Sequence, residues 1–472
     1  MVGRPTVCDM SNLNEIKTWL EGRLPALLAE NEVPGAAVAV YAGGEVIDLA
    51  SGVLSKATEV EATADSLFQI GSITKVWTTT LVMQLVDEGL VELDEPVRTY
   101  LPEFVISDES AAKVITVRQL LSHQAGFEGD IFTDTGMGDD CVEKYVATLS
   151  DVDQLFAPGE MFSYNNAGFC VLGRMVEVLR GKPYDTCLRE HLFTPLGLTH
   201  AANGANEAIL FRAAVGHIRP EPDAAPVPAP VWSLVRSNAP AGSSLAMRPR
   251  DLLAFAQLHL HSGAAADGTQ VLSTASVKAM QERQVEVPDL GLMGNAWGLG
   301  WELFDWDGGP VIGHDGGTIG QSAFLRVVPE QDIAVALLTN GGDTFAVYTE
   351  IFGHVLRELA GVTMPALPTP PAEQLPFDAE RFLGTYSCEV GDLTVSQDDE
   401  GRLWLQTVPK GAVAELVGES ERVEMLYLRE DTLIPAKPDR GVHLPNIFLG
   451  DDGTGRALYL HAGRAIRRAN PA

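Results

Sequence analysis

Ser72 and Lys75 stand three positions apart in Ser72-Ile73-Thr74-Lys75, at the start of a strongly helical run. Positions i and i+3 of a helix share a face, so the hydroxyl and the amine can touch. A lysine kept neutral by its surroundings can take the serine's proton and turn its oxygen into a nucleophile. In water lysine is protonated at neutral pH, so the role demands desolvation or a neighbouring positive charge. By itself Ser-x-x-Lys is a weak signal. Two later groups complete a candidate site. Tyr164-Asn165-Asn166 precedes a helical stretch over 167–179, and His314-Asp315-Gly316-Gly317-Thr318 precedes a strand-like run over 322–328.

Taken in this order, Ser-x-x-Lys, Tyr-x-Asn and His-x-Gly resemble the serine β-lactamase and penicillin-binding-protein superfamily, in its class C and D,D-peptidase-like branch. Phe68-Gln69-Ile70-Gly71 before the serine and Leu120-Leu121-Ser122-His123-Gln124-Ala125-Gly126 after it carry the same resemblance, which spans residues 12–361. It implies Ser72 as nucleophile, Lys75 as its base, and Tyr164 as the relay that protonates the leaving group and activates water. A phenol beside a lysine can be held partly deprotonated, the physical case for that relay. Asn166 is implied as a partner of Lys75 and of the substrate's amide carbonyl. The backbone amides of Ser72 and Gly317 are implied as the oxyanion hole, with Gly316 and Gly317 letting the strand approach the substrate closely. His314 stands where β-lactamases carry lysine; a histidine still donates a hydrogen bond but anchors a carboxylate more weakly. That favours peptidase-, esterase- or transferase-like chemistry over β-lactam hydrolysis.

These residues need a scaffold. A first helix over 13–28 leads to strands at 35–41 and 45–50, around the turn Ala42-Gly43-Gly44. Residues 72–90 carry apolar side chains at Ile73, Val76, Trp77, Leu81, Val82 and Leu85, a helical period with one buried face; Thr80, Gln84, Asp87 and Glu88 supply the polar side. A serine on the first turn of such a helix gains from its free amides and positive end. Further helices are expected at 141–149, 185–192, 250–261 and 345–360, and strands at 322–328 and 333–338. The segment 129–145 is polar, and 220–230 alternates proline and alanine, a surface loop expected near the cleft. Trp297, Trp301, Phe304 and Trp306 form an aromatic cluster read first as core; Trp297 and Trp306 are also candidates for a substrate-binding cleft wall. His123 reads as a packing or hydrogen-bonding histidine.

The expected fold is α+β: a β-lactamase-like domain over residues 1–361, an antiparallel sheet flanked by helices with an all-helical part. A proline-rich linker follows at 362–376. Over 377–472 come short alternating runs (382–388, 393–397, 403–408, 413–417, 423–428, 446–449 and 457–461) that read as a small antiparallel β-barrel. The barrel is similar to the lipocalin-like domains appended to some members of the superfamily.

Composition narrows the partners. With 64 acidic against 33 basic residues the net charge is −31, which argues against nucleic acid and against anionic membrane as partners. No apolar run approaches the ~18–20 residues of a membrane helix. The five cysteines are odd in number and lack metal-ligand spacing, so no metal and no cofactor is expected, and the thiols suit a reducing compartment. The polar start of the chain lacks a signal-peptide pattern; a cytoplasmic protein is the expectation.

The reading is a serine acyl-enzyme working on small-molecule or peptidyl acyl donors: peptides with D-residues, thioesters or esters, including carrier-protein-bound peptides. The most specific form is a penicillin-binding-protein-type thioesterase that cyclises nonribosomal peptides. Its rivals are a cytoplasmic carboxylesterase, D-aminopeptidase or D,D-peptidase-like hydrolase, and a non-catalytic binding protein on the same scaffold.

Overall fold

The computed structural model describes residues 10–221, 224–411, 414, 421–439 and 441–469. Its centre is a nine-stranded antiparallel sheet. Strand Gly35–Ala42 pairs on one side with Glu45–Ser55 and on the other with Ile333–Thr339; the order then continues through Gln321–Val328, Gly309–Thr318 and Glu302–Trp306. Strand Gly35–Ala42 is buried on both faces. Its Ala37, Ala39 and Tyr41 join one core cluster; Ala36, Val38, Val40 and Ala42 join another. That is why its sequence is apolar throughout rather than alternating.

The second cluster lies under helices Met10–Glu30 and Thr344–Ala360, which pack on one face of the sheet. On the other face stands the helical part, built around helix Thr74–Asp87. Here the structure corrects the expectation of one buried face, because every residue from Thr74 to Leu85 is buried. Thr80 and Gln84 are therefore core residues, not a solvent face. The threonines tolerate this by returning their hydroxyls to carbonyls: Thr79 to Lys75 at 2.8 Å, Thr80 to Val76 at 2.8 Å, Thr78 to Pro240 at 2.7 Å. Segment 220–230 contributes a short strand, Val227–Pro228, paired with His217–Ile218; residues 222–223 lie outside the described set.

Beyond the proline-rich stretch, eight antiparallel strands from Gly384–Cys388 to Ala465–Arg468 close into a barrel around Tyr386, Leu433, Phe448 and Leu460. The expected strand at 413–417 falls almost wholly outside the described residues. Strands Thr432–Pro435 and Ala465–Arg468 were not anticipated. The last hairpin of the barrel, Tyr459–His461 to Ala465–Arg468, leans on the helical part. Tyr459 donates to the Leu155 carbonyl at 3.0 Å, and its ring packs with Phe156 and Ala465. Among the described residues no helix is long and apolar enough to cross a membrane.

Candidate active site

Ser72 lies in a short 3-10 turn, Gly71–Ile73, that runs straight into helix Thr74–Asp87. The nucleophile candidate thus precedes the α-helix rather than sitting on its first turn. Gly71 has a φ of +51°, and a Cβ there would lie 2.7 Å from the Gly317 nitrogen. A Cβ on Gly316 would collide with the Ile70 carbonyl and lie 3.1 Å from the Ser72 nitrogen. The strand carrying the third motif therefore presses its bare backbone against the serine turn, which brings the Ser72 and Gly317 amides side by side. Ser72 is half-buried and Gly317 is exposed, so the site opens to solvent here.

Lys75 is fully buried, and its Nζ donates to Ser72 Oγ at 3.1 Å and to the Ala241 carbonyl at 2.6 Å. Among the described residues it forms no ion pair, and its Nζ lies over the rings of Tyr164 at 4.7 Å and Phe169 at 5.7 Å. Burial, helped by the nearby Arg464 charge, brings its pKa down to about 7. At neutral pH a large fraction is the free amine required of a base.

Tyr164 closes the other side. Its ring stacks on His123 at 4.3 Å and stands edge-on to Trp297 at 5.8 Å. Burial pushes its phenol well above the usual range, while a hydrogen bond with Ser72 and the Arg464 charge pull the other way. The resting phenol keeps its proton, in contrast to the partly deprotonated tyrosine expected. His123, at φ +58°, is held by the Asn165 N–H, which donates to its Nδ1 at 2.9 Å. Asn165, not Asn166, caps helix Asn166–Arg180, its side chain accepting from the Gly168 N–H at 2.7 Å. Asn166 is the first residue of that helix, and its amide donates to Asp130 at 2.6 Å rather than to Lys75.

His314 is buried, with Nδ1 2.6 Å from the Asp315 carbonyl and its ring edge-on to Trp297 at 5.4 Å. Burial and the Lys75 charge push its pKa down to about 3, so it is uncharged. Trp297 is fully buried in an aromatic group with Phe162 and Tyr164. Trp306 is elsewhere: it packs on Phe304 at 4.8 Å within the core under the two outer helices. The structure thus gathers Ser72, Lys75, Tyr164, His314, Trp297, Gly316 and Gly317, and leaves Trp306 outside.

Arg464 was not anticipated. It comes from the turn of the last barrel hairpin, sits over the Tyr164 ring at 4.7 Å and donates through Nε to Asp130 at 2.9 Å. The same hairpin binds the Tyr-x-Asn segment through backbone and side chain. The Tyr164 N–H donates to the Gly463 carbonyl at 3.0 Å, the Ala465 N–H donates to Ser163 Oγ at 3.1 Å, and His461 Nε2 meets the Phe162 carbonyl at 2.9 Å. A cavity of about 270 Å³ lies along this seam, bordered by Glu128, Asp130, Ser163, Cys388 and Arg464. Among the described residues no group of His, Cys, Asp and Glu is arranged to hold a metal ion.

Residues 20–356 match the β-lactamase family model. The chain is 47% identical over 375 residues to penicillin-binding protein 4 of Amycolatopsis lactamdurans, across 79% of this chain and 98% of that protein. The crystal structure of SurE superimposes with a TM-score of 0.74 at 27% identity, covering 97% of this chain and 99% of that one, barrel included. D-amino acid amidase from Ochrobactrum anthropi SV3 gives a TM-score of 0.62 at 25% identity, over 74% and 99% of the two chains. With a buried lysine on its serine, a tyrosine over both and a glycine strand against them, the chain belongs to the β-lactamase and penicillin-binding-protein family of serine hydrolases.

Proposed function

We propose that the protein forms an acyl-enzyme at Ser72 with peptide-like acyl donors ending in a D-residue, and passes the acyl group to an amine, as a peptide cyclase does. The observation that carries the acyl-enzyme is the buried Lys75 amine 3.1 Å from Ser72 Oγ. Neutral Lys75 takes the Ser72 proton as Oγ bonds to the carbonyl carbon, and the amides of Ser72 and Gly317 receive the oxyanion. Tyr164, still carrying its proton, supplies it to the leaving group as the carbonyl–leaving-group bond breaks. In the second half the incoming amine gives up a proton along the same path, its nitrogen bonds to the acyl carbon, and Ser72 leaves with a proton.

The D-residue preference draws on two neighbours: SurE has been crystallised with D-Leu, and the amidase acts, by its name, on D-amino acid amides. Amine rather than water as acceptor draws on the barrel hairpin, which covers the Tyr164 side of the site and screens it from bulk water. Carrier-bound peptidyl thioesters fit this scheme as donors. A hydrolase of D-amino-acid amides is the second reading, favoured by the amidase likeness. A peptidyl thioester ending in a D-residue separates the two: a cyclic product supports the first, linear acid alone the second.

A further inference from the structure

The third-motif strand is backed by a buried polar group that the catalytic scheme leaves unused. Glu302, Gly313 and Arg326 lie side by side across three strands. Arg326 is 1% exposed and grips Asp315 with two bonds, 2.6 and 3.0 Å, while its guanidinium lies on the Phe304 ring at 4.3 Å. Glu302 is 2% exposed. One oxygen accepts from the Asp315 N–H at 3.4 Å and lies 3.8 Å from His314 Nδ1; the other lies 3.9 Å from Arg326 Nη1 and has no hydrogen-bond partner among the described residues. Between these groups His314 has one ring nitrogen engaged and one bare: Nε2 is buried and has no hydrogen-bond partner among the described residues, and the rings of Trp297 and Tyr164 stand 5.4 and 6.3 Å from the imidazole.

A carbonyl oxygen has no proton to give, so the 2.6 Å contact with the Asp315 carbonyl puts the hydrogen on Nδ1. A neutral imidazole with Nδ1–H has a lone pair on Nε2. We propose that Glu302 is a positioning residue that, with the Asp315 carbonyl, locks His314 in this tautomer, so that Nε2 receives an N–H of the leaving or incoming amine instead of anchoring a carboxylate. The inference rests on the acyl-transfer reading above and narrows its substrate class: the group beyond the scissile bond is an amine or amide bearing N–H, not a free carboxylate. A buried acceptor with no donor is costly, and a substrate N–H removes that cost only once the site is filled. Protonation of His314 is opposed by burial and by Lys75 and Arg326; Glu302, Asp315, Tyr164 and His123 are the other titratable groups around it.

The test reads the tautomer directly, in full-length protein labelled with 15N-histidine, with His314→Gln to assign the signal. Nitrogen chemical shifts are expected to show Nδ1–H and bare Nε2, unchanged between pH 5 and 8. Glu302→Leu is expected to mix the tautomers, and Glu302→Gln, which keeps an acceptor oxygen, to preserve the wild-type pattern. A proton on Nε2 in the wild type, or a wild-type spectrum in a folded Glu302→Leu variant, overturns the proposal; if that variant does not fold, the wild-type and Gln spectra decide. With an acyl-D-alanyl-D-alanine and its carboxamide as probes, the wild type is expected to favour the carboxamide at least tenfold and His314→Lys to reverse the order. A wild-type preference for the carboxylate also overturns it. The spectra need no turnover, so a failure of the acyl-transfer reading leaves a distinct signature: the locked tautomer with neither probe consumed.

Discussion

Lys75 is where local chemistry and stability meet most sharply. Its folded pKa of about 7 lies far below the ~10.4 of an unfolded lysine. Between those values the unfolded chain binds a proton that the folded one does not, so this group makes stability rise with pH from about 7 to about 10. Lys75→Met removes the penalty of keeping the amine neutral. Thermal melting at pH 7 is expected to show a variant that is inactive yet more stable by a few kcal/mol, since each tenfold loss of proton affinity on folding costs about 1.4 kcal/mol. An unchanged or lower melting temperature would mean that Lys75 is charged in place. For wild-type acylation, kcat/KM is expected to climb with pH as Lys75 loses its proton and to level above about 7. Arg464→Gln removes a charge that favours the neutral amine, so the rising limb should move to higher pH. Tyr164→Phe is expected to cost about 10²–10⁴ in turnover with the fold intact, checked by single-turnover kinetics beside circular dichroism. The motif residues were readable because Ser72–Lys75 and Tyr164–Asn166 are local patterns. Arg464 was not, because it is 334 positions from the Asp130 it binds and no spacing rule connects them. The Asn166 amide's choice of Asp130 over Lys75 was hidden for the same reason.

At the scale of elements, strands and helices with clear periods were legible and those shaped by their surroundings were not. Helix Asn166–Arg180 stands within a residue of its expected bounds, since a cap and Gly181 punctuate it. Helix Thr74–Asp87 was found but its burial misjudged: threonine looks polar in sequence, and only a structure shows its hydroxyl folded back on the preceding turn. Strand Gly309–Thr318 has no alternating pattern, and its Gly316 serves the contact with residues 70–72 rather than sheet propensity. That contact makes a prediction. Gly316→Ala places a methyl against the Ile70 carbonyl, and overpacking of this kind costs about 1–3 kcal/mol. Because the strand must retreat from the oxyanion amides, activity is expected to fall further than stability. Melting and kcat/KM measured on the same sample check this, and a variant with wild-type turnover would separate Gly316 from the oxyanion geometry.

For the whole molecule, the change from helical to short alternating patterns pointed to a C-terminal antiparallel barrel, and the structure has that barrel, closed by eight strands. The sequence did not announce that the barrel's last hairpin would reach the Tyr-x-Asn segment, since His461, Gly463 and Arg464 look like ordinary turn residues until the chain is folded. The barrel therefore belongs to the site. Ending the chain after Pro371 uncovers the packing of Phe156 and removes the partners of Ser163 and Tyr164. Such a truncation is expected to melt at a lower temperature and to lose transfer to amines before it loses acylation; quantifying cyclic product, linear acid and acyl-enzyme for both forms checks the order of loss. The measurement that bears most directly on the central claim is intact mass of the protein after mixing with a peptidyl thioester ending in a D-residue, wild type beside Ser72→Ala. The account predicts a transient gain equal to the acyl group on the wild type, absent from Ser72→Ala, followed by cyclic product. Equal product formation by both proteins, with no covalent species on the wild type, would contradict it.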